Sequence, residues 1–250
     1  MSENIKNIKE NYIMKAFKVD LDSGENQSIL KPSARPFNNQ AHQVNEVVEK
    51  IAEKIYELIE GAKHPNDDTI LNHSEIKEAF FSPFEPQLKD AQVFLSHSHA
   101  DKNKALKVKN YLKSETNHRV FIDSLFWDYK DNALNKLAKY DNTSKIKDAF
   151  TLILRESLQD MIEKCPYFVF LQSNNSVSNQ GLSHTTYSAW VYEELKIANG
   201  LIADSALQES RIKAMRVSHN ITNLLRRFKS ISLDGLCKKI SFNFITKDLE

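Results

Sequence analysis

Three short, wholly apolar runs constrain this chain most: Val93-Phe-Leu95, Val120-Phe-Ile122 and Tyr167-Phe-Val-Phe-Leu171. Runs with no polar member suit strands buried on both faces, and such strands belong to parallel sheets covered on each side by crossover helices. The intervening sequence supplies the helices. Ala105, Val108 and Leu112 recur at helical spacing, Leu134, Leu137 and Ala138 mark a short helix, and Ile146 to Ile162 carry a longer one. Trp190, Val191, Leu195, Ile197 and Ala198 form a further apolar face that ends near Gly200. Ligands of open sheets bind beyond the carboxyl ends of the strands. Function is therefore expected in the loops after Leu95, Ile122 and Leu171, the last of them polar from Gln172 to about Thr186.

The flanks are less regular. Residues 1–40 are polar and interrupted by Gly24, Pro32 and Pro36, which predicts a loosely ordered segment or a peripheral wrap. Residues 41–87 are expected to be a mainly helical extension. Val44, Val47, Val48, Ile51, Ile55, Leu58 and Ile59 share one helical face, with Gly61 placed for the C-cap, as a packing or self-association helix. The α/β core is expected at 88–205, and 206–250 as its C-terminal part or a basic tail. There Ile212 to Val217 suggests a strand and Ile221 to Phe228 a helix, while Ile231 to Phe244 is ambiguous. Arg211, Lys213, Arg216, Arg226, Arg227, Lys229, Lys238 and Lys239 are opposed only by Asp234, which reads as a solvated surface or as a polyphosphate or nucleic-acid contact.

Composition removes several function classes. The 5 glycines are scattered, so neither a P-loop nor a G-x-G-x-x-G turn can be built. The 2 cysteines, Cys165 and Cys237, make no disulfide framework and have no metal-ligand spacing. The formal net charge of +1 does not demand nucleic acid, which is not an expected partner. The apolar runs fall far short of the roughly 18 residues of a membrane span, and the first residues lack a signal-peptide core. A soluble protein of the cytoplasm, with no membrane partner, is expected.

The segment Val93-Phe-Leu-Ser-His-Ser-His-Ala-Asp-Lys102 carries the most chemistry. His97-x-His99-x-Asp101 after an apolar strand could open a dinuclear metal site, and it resembles the H-x-H-x-D-H signature of the metallo-β-lactamase fold. Lys102 stands where that signature requires a further ligand, so no metal is expected. Asp101 is placed to cap the following helix. The same segment, taken with Val120-Phe-Ile-Asp-Ser124 and with Ser188-Ala-Trp190-Val-Tyr-Glu-Glu194-Leu195, resembles the Toll/interleukin-receptor (TIR) domain, particularly its bacterial branch. The last of these is similar to the S-x-W-x-x-x-E-L box of that family, and the three matches lie in order across roughly residues 91–200.

The resemblance implies a flavodoxin-like, doubly wound parallel sheet and a reaction. Many bacterial and plant members cleave NAD at the nicotinamide–ribose bond, giving ADP-ribose, a cyclised isomer or a conjugate, with NAD as substrate and no cofactor. By this resemblance Glu194 is the catalytic carboxylate, and Ser96, His97, Ser188 and Trp190 line the substrate pocket. Phe126 and Trp127 are the aromatics of the BB loop, residues 123–131. The family also implies homo-oligomeric assembly, an upstream sensor or downstream effector protein, and a place in bacterial antiphage defence. Residues four apart share a helix face, so Trp190 and Glu194 should stand one above the other. A lone carboxylate beside an aromatic wall suffices where the leaving group is already cationic and departs neutral.

Three alternatives remain. A non-catalytic TIR adaptor would use the same fold, as would an enzyme like the nucleoside deoxyribosyltransferases, which also use one glutamate. The metallo-hydrolase is the third. A receiver domain is excluded, because the third apolar run ends Leu171-Gln172-Ser173 without an aspartate.

Overall fold

The computed structural model describes residues 14–31, 57, 73–81, 91–122, 144–180, 183–202 and 219–245. The helix expected at residues 44–59, the short helix at 134–138, the strand at 212–217 and the BB loop all lie outside the described residues, apart from Glu57, which is helical. In chain order the elements begin with β1 (Lys15–Asp20), α1 (Gly24–Ile29), α2 (His73–Phe81) and β2 (Val93–Ser96). A 3-10 turn (His99–Asp101) leads into α3 (Lys102–Thr116), followed by β3 (Val120–Ile122), α4 (Ser144–Lys164) and β4 (Tyr167–Gln172). Then come β5 (Ser178–Gln180), β6 (Ser183–Thr186), α5 (Ala189–Leu201), β7 (His219–Asn220), α6 (Thr222–Arg226), β8 (Lys229–Ser230) and α7 (Leu233–Ile245).

The three apolar runs are β2, β3 and β4, and they sit in a five-stranded sheet of order β3-β2-β4-β1-β8 in which every pairing is parallel. Strand alternation divides their side chains between two cores. Phe94, Phe121, Phe168 and Phe170 enter one face and pack with Ile153, Leu154 and Leu158 of α4 and Val191 and Leu195 of α5. Phe94 stacks on Phe168 at 5.6 Å and 8°, and Phe228 meets Phe168 edge-on at 5.5 Å. Val93, Leu95, Val120, Ile122, Val169 and Leu171 enter the opposite face, against Ala105, Val108 and Leu112 of α3 and Leu236 and Ile240 of α7. Helices on both faces of a parallel sheet are the α/β class expected from the sequence.

The expectation for residues 1–40 is corrected at Lys15–Asp20. These residues form a strand between β4 and β8, in register with β4 from Lys15 opposite Tyr167 to Asp20 opposite Gln172. Phe17, Val19 and Leu21 are buried, and Leu21 N donates to Gln172 O at 2.8 Å. Lys15 and Lys18 concealed the strand by breaking its apolar run. They are tolerated because Lys15 is exposed and Lys18 only half-buried. The buried Asn26 then ties the N-terminal segment to α7, donating through Nδ2 to Asp20 O at 2.7 Å and accepting from Leu233 N at 2.9 Å. Within the expected extension, Ile76 of α2 is also buried in the phenylalanine-rich core, and Lys77 meets Asp160 of α4 at 2.8 Å.

The polar stretch after β4 is another departure. It contains β5 and β6, which pair antiparallel, and β7 joins β6 to complete a small second sheet. Ser183, His184 and Thr185 are only half-buried, so the stretch has none of the apolar alternation from which strands are read.

A chain beginning at residue 88 would contain all three family-like motifs and still lack β1. It loses burial of Phe17, Val19 and Leu21 at roughly 1.5–3 kcal/mol each, a large share of a typical stability of about 5–15 kcal/mol. Thermal unfolding followed by circular dichroism should show no cooperative transition for that chain. A transition at the full-length midpoint would make β1 dispensable.

Candidate active site

The chain passes from β2 to the edge strand β3 and then returns to β4 on the other side of β2. The strand order therefore reverses between β2 and β4, and sheets of this kind bind ligands at the carboxyl edge beside such a reversal. Ser96, the last residue of β2, stands there with 0% exposure, and His97 and Ser98 behind it are buried.

Helix α5 brings Glu194 to the same edge. Its N-terminus is fixed by Ser188, whose Oγ accepts from Val191 N at 3.2 Å. Two turns in, Glu194 is 0% exposed, and Ser96 Oγ donates to its Oε2 at 2.5 Å. That contact joins residues 98 apart in the chain. A buried carboxylate is costly unless charge-assisted donors reach it, and the serine hydroxyl is such a donor. Trp190 lies one turn earlier, half-buried against the phenylalanine-rich core. Its neighbours face elsewhere: Glu193 Oε1 accepts from Arg155 Nε of α4 at 2.6 Å, and the Tyr192 ring stacks on His219 at 4.4 Å.

Of the seven residues expected at the site, the structure brings Ser96 and Glu194 into contact and buries His97 beside Ser96. Ser188 is committed to the start of α5, and Trp190 is partly a core anchor. Phe126 and Trp127 lie outside the described residues. The two histidines of the H-x-H-x-D segment part company, His97 being buried and His99 exposed. Among the described residues, no three His, Cys, Asp or Glu side chains are grouped to hold a metal ion.

Asp101 holds the N-cap position of α3 expected from the sequence, but its side chain makes no capping bond; its carboxylate is turned inward and gathers donors from two loops. Ser98 Oγ donates to Oδ2 at 2.6 Å, Ser173 Oγ donates to the same oxygen, and Asn175 Nδ2 donates to Oδ1 at 2.9 Å. Lys104 Nζ lies 3.8 Å from Asp101 and 3.0 Å from Asp22, just beyond β1, whose other oxygen accepts from Asn174 N at 2.9 Å. One polar clasp thus joins the ends of β1, β2 and β4. Burial pushes the Asp101 carboxyl upward, but the Ser173, Ser98 and Asn175 hydrogen bonds and the Lys104 charge outweigh it and hold it below the usual range. The Asn174 amide, followed by Lys104, likewise holds Asp22 down. Asp22, Lys104, Ser173 and Asn175 were missed in the sequence. Their available signal was polar residues directly following apolar strand patterns, and for Asp22 the strand itself went unread.

The basic C-terminal region resolves in part into structure. Arg227 donates through Nη1 to Asn199 O and Oδ1 and through Nη2 to Ile202 O, each at 2.7 Å. It thereby satisfies carbonyls at the end of α5, where a cation also opposes the helix dipole. Lys238 pairs with Asp234 on the surface of α7. Residues 211–218 lie outside the described residues.

Comparison with protein-family models, curated proteins and solved structures gave no match. No described helix is long and apolar enough to cross a membrane.

Because the folded Asp101 carboxyl titrates below its unfolded value, its contribution is full above about pH 4 and is lost as pH falls through the folded pKa. Asp101→Asn should cost about 3 kcal/mol at pH 7, in line with breaking a buried, hydrogen-bonded charge. Its stability should also decline less steeply than wild type between pH 5 and pH 2. Urea titrations across that interval check both, and parallel slopes would remove the assigned role.

Proposed function

We propose that this protein is a TIR-type NAD glycohydrolase of flavodoxin-like fold that cleaves the nicotinamide–ribose bond, with Glu194 as its catalytic carboxylate. One observation carries the proposal: the Glu194 carboxylate lies buried against Ser96 at the carboxyl edge of β2, beside the reversal of strand order where sheets of this kind bind ligands. The strand order supports it. Counting β2, β3 and β4 as first, second and third gives the 2-1-3 half of the flavodoxin arrangement 2-1-3-4-5. The fourth place is filled by β1 from the N-terminal side and the fifth by β8, so the arrangement is kept while the connectivity is permuted.

The chemistry asks little of the protein. As the bond between the ribose C1′ and the pyridinium nitrogen breaks, its electron pair leaves with nicotinamide, which departs neutral. Positive charge develops on C1′ and O4′, and a carboxylate holding the ribose hydroxyls stabilises it. Water then adds to C1′ and gives up one proton, forming ADP-ribose; a nucleophile within ADP-ribose would give a cyclised product instead. His97, Trp190 and Ser188 remain the proposed pocket residues on α5 and the β2 loop, with Phe126 and Trp127 contributed by the BB loop. The proposed setting is cytoplasmic, in antiphage defence, with assembly of several copies completing the site in response to a sensor.

Complete burial of Glu194 favours a second reading, a docking module in which the Ser96–Glu194 bond only ties α5 to β2. Nicotinamide release from NAD, followed by chromatography over a series of protein concentrations, separates the two. The glycohydrolase should turn over NAD with a rate rising more steeply than linearly, and Glu194→Gln should lower kcat by at least about 100-fold. Undiminished turnover by Glu194→Gln would end the catalytic assignment.

A further inference from the structure

We infer that Ser96 is a positioning residue whose hydroxyl holds Glu194 in its ionised form and aims one of its carboxylate oxygens. This deepens the glycohydrolase reading of the same site and rests on it. Three features of the geometry support it. Ser96 Oγ and Glu194 Oε2 are 2.5 Å apart, and both side chains are fully buried, so the bond is shielded from competing water. An O–H donor stabilises a carboxylate far more than a carboxylic acid, because the neutral acid accepts more weakly. Finally, the next serine along the loop repeats the device: Ser98 donates to the buried Asp101, which also accepts from Ser173. The two alternate serines after β2 are therefore each held by a carboxylate, and the second fixes the loop that presents the first.

Among the described residues, several other charged and titratable groups lie on the elements around Glu194. On its own helix Glu193 is paired with Arg155, and Lys196 is exposed. Arg227, at the end of α6, is bound to the far end of α5. His219 of β7 stacks on Tyr192, and His184 of β6 is half-buried, its backbone bonded to Thr222. His97 is the buried titratable group nearest in sequence to Ser96, so it is controlled for directly.

The test is the pH profile of kcat/KM for nicotinamide release in wild type, Ser96→Ala and Ser96→Cys, each also in a His97→Gln background. Cysteine preserves volume but is a weak donor. Both Ser96 variants should move the acid limb toward neutral pH by about one unit, in either background. A limb that stays in place while kcat falls at every pH, or that moves in Ser96→Ala alone, reduces Ser96 to packing and overturns the inference. A double-mutant cycle of Ser96→Ala with Glu194→Gln, read by urea unfolding at pH 7, needs no activity. It should show coupling of roughly tenfold in the unfolding equilibrium, whereas additivity overturns the inference. If wild type releases no nicotinamide, the glycohydrolase reading fails while the cycle still decides whether Ser96 holds the charge.

Discussion

Pairing of β1 with β4 is the constraint on which the remaining architecture rests. Six residues from near the start of the chain run beside six residues from its second half, register for register. Without that strand β4 would have an open edge, and β8, whose pairing in the sheet is with β1, would have nothing to attach to. The contact joins distant parts of the chain and closes a loop of roughly 150 residues. Loop-closure entropy grows only slowly with length, and burial of Phe17, Val19 and Leu21 together with Asn26 at the head of α7 opposes it. The N-terminal and C-terminal segments are thus parts of the core and stabilise one another.

The same pairing organises the carboxyl edge. Asp22 is reached only because β1 ends beside β4, and from there its carboxylate meets Lys104 and the Asn174 amide. Asp101 closes the circuit to Ser98, Ser173 and Asn175. These groups neutralise one another by hydrogen bonds and charge, as buried polar networks must. The clasp fixes the loop that follows Ser96, two residues along the chain. An edge built this way is held by polar contacts between loops while the apolar packing of the two cores lies beneath it.

How much of this was legible in the sequence follows from what each element buries. β2, β3 and β4 are apolar on both faces, so their runs stand out, and α3 keeps Ala105, Val108 and Leu112 at helical spacing. β1 was hidden because the lysines Lys15, which is exposed, and Lys18, which is half-buried, interrupt its apolar residues. β5 and β6 were hidden because their sequences are polar, and Ser183, His184 and Thr185 of β6 are only half-buried. At the site, Glu194 and Ser96 could be singled out from motif spacing, but their contact spans 98 residues and belongs to the fold. Asp101 holds the expected N-cap position yet makes no cap bond, because position relative to a helix says nothing about which way a carboxylate turns when serine donors compete for it.

Burial of Glu194 bears on how such a site could act. A carboxylate at 0% exposure cannot touch a ribose until something above it moves. The Ser96–Glu194 bond meanwhile resembles the contact that a ribose hydroxyl would make with the same oxygen. Substrate entry then becomes an exchange of one hydroxyl donor for another, and the carboxylate is never left desolvated and unpaired along the way. That exchange lowers the cost of opening, because the charge keeps a donor at each stage. It also gives assembly a physical task. A neighbouring copy that stabilises the opened edge would raise the fraction of competent sites, and the apparent affinity for substrate rises with that fraction. In the proposed glycohydrolase, a dependence of activity on self-association would then follow from the depth at which Glu194 is held, with no need for a second chain to supply the carboxylate.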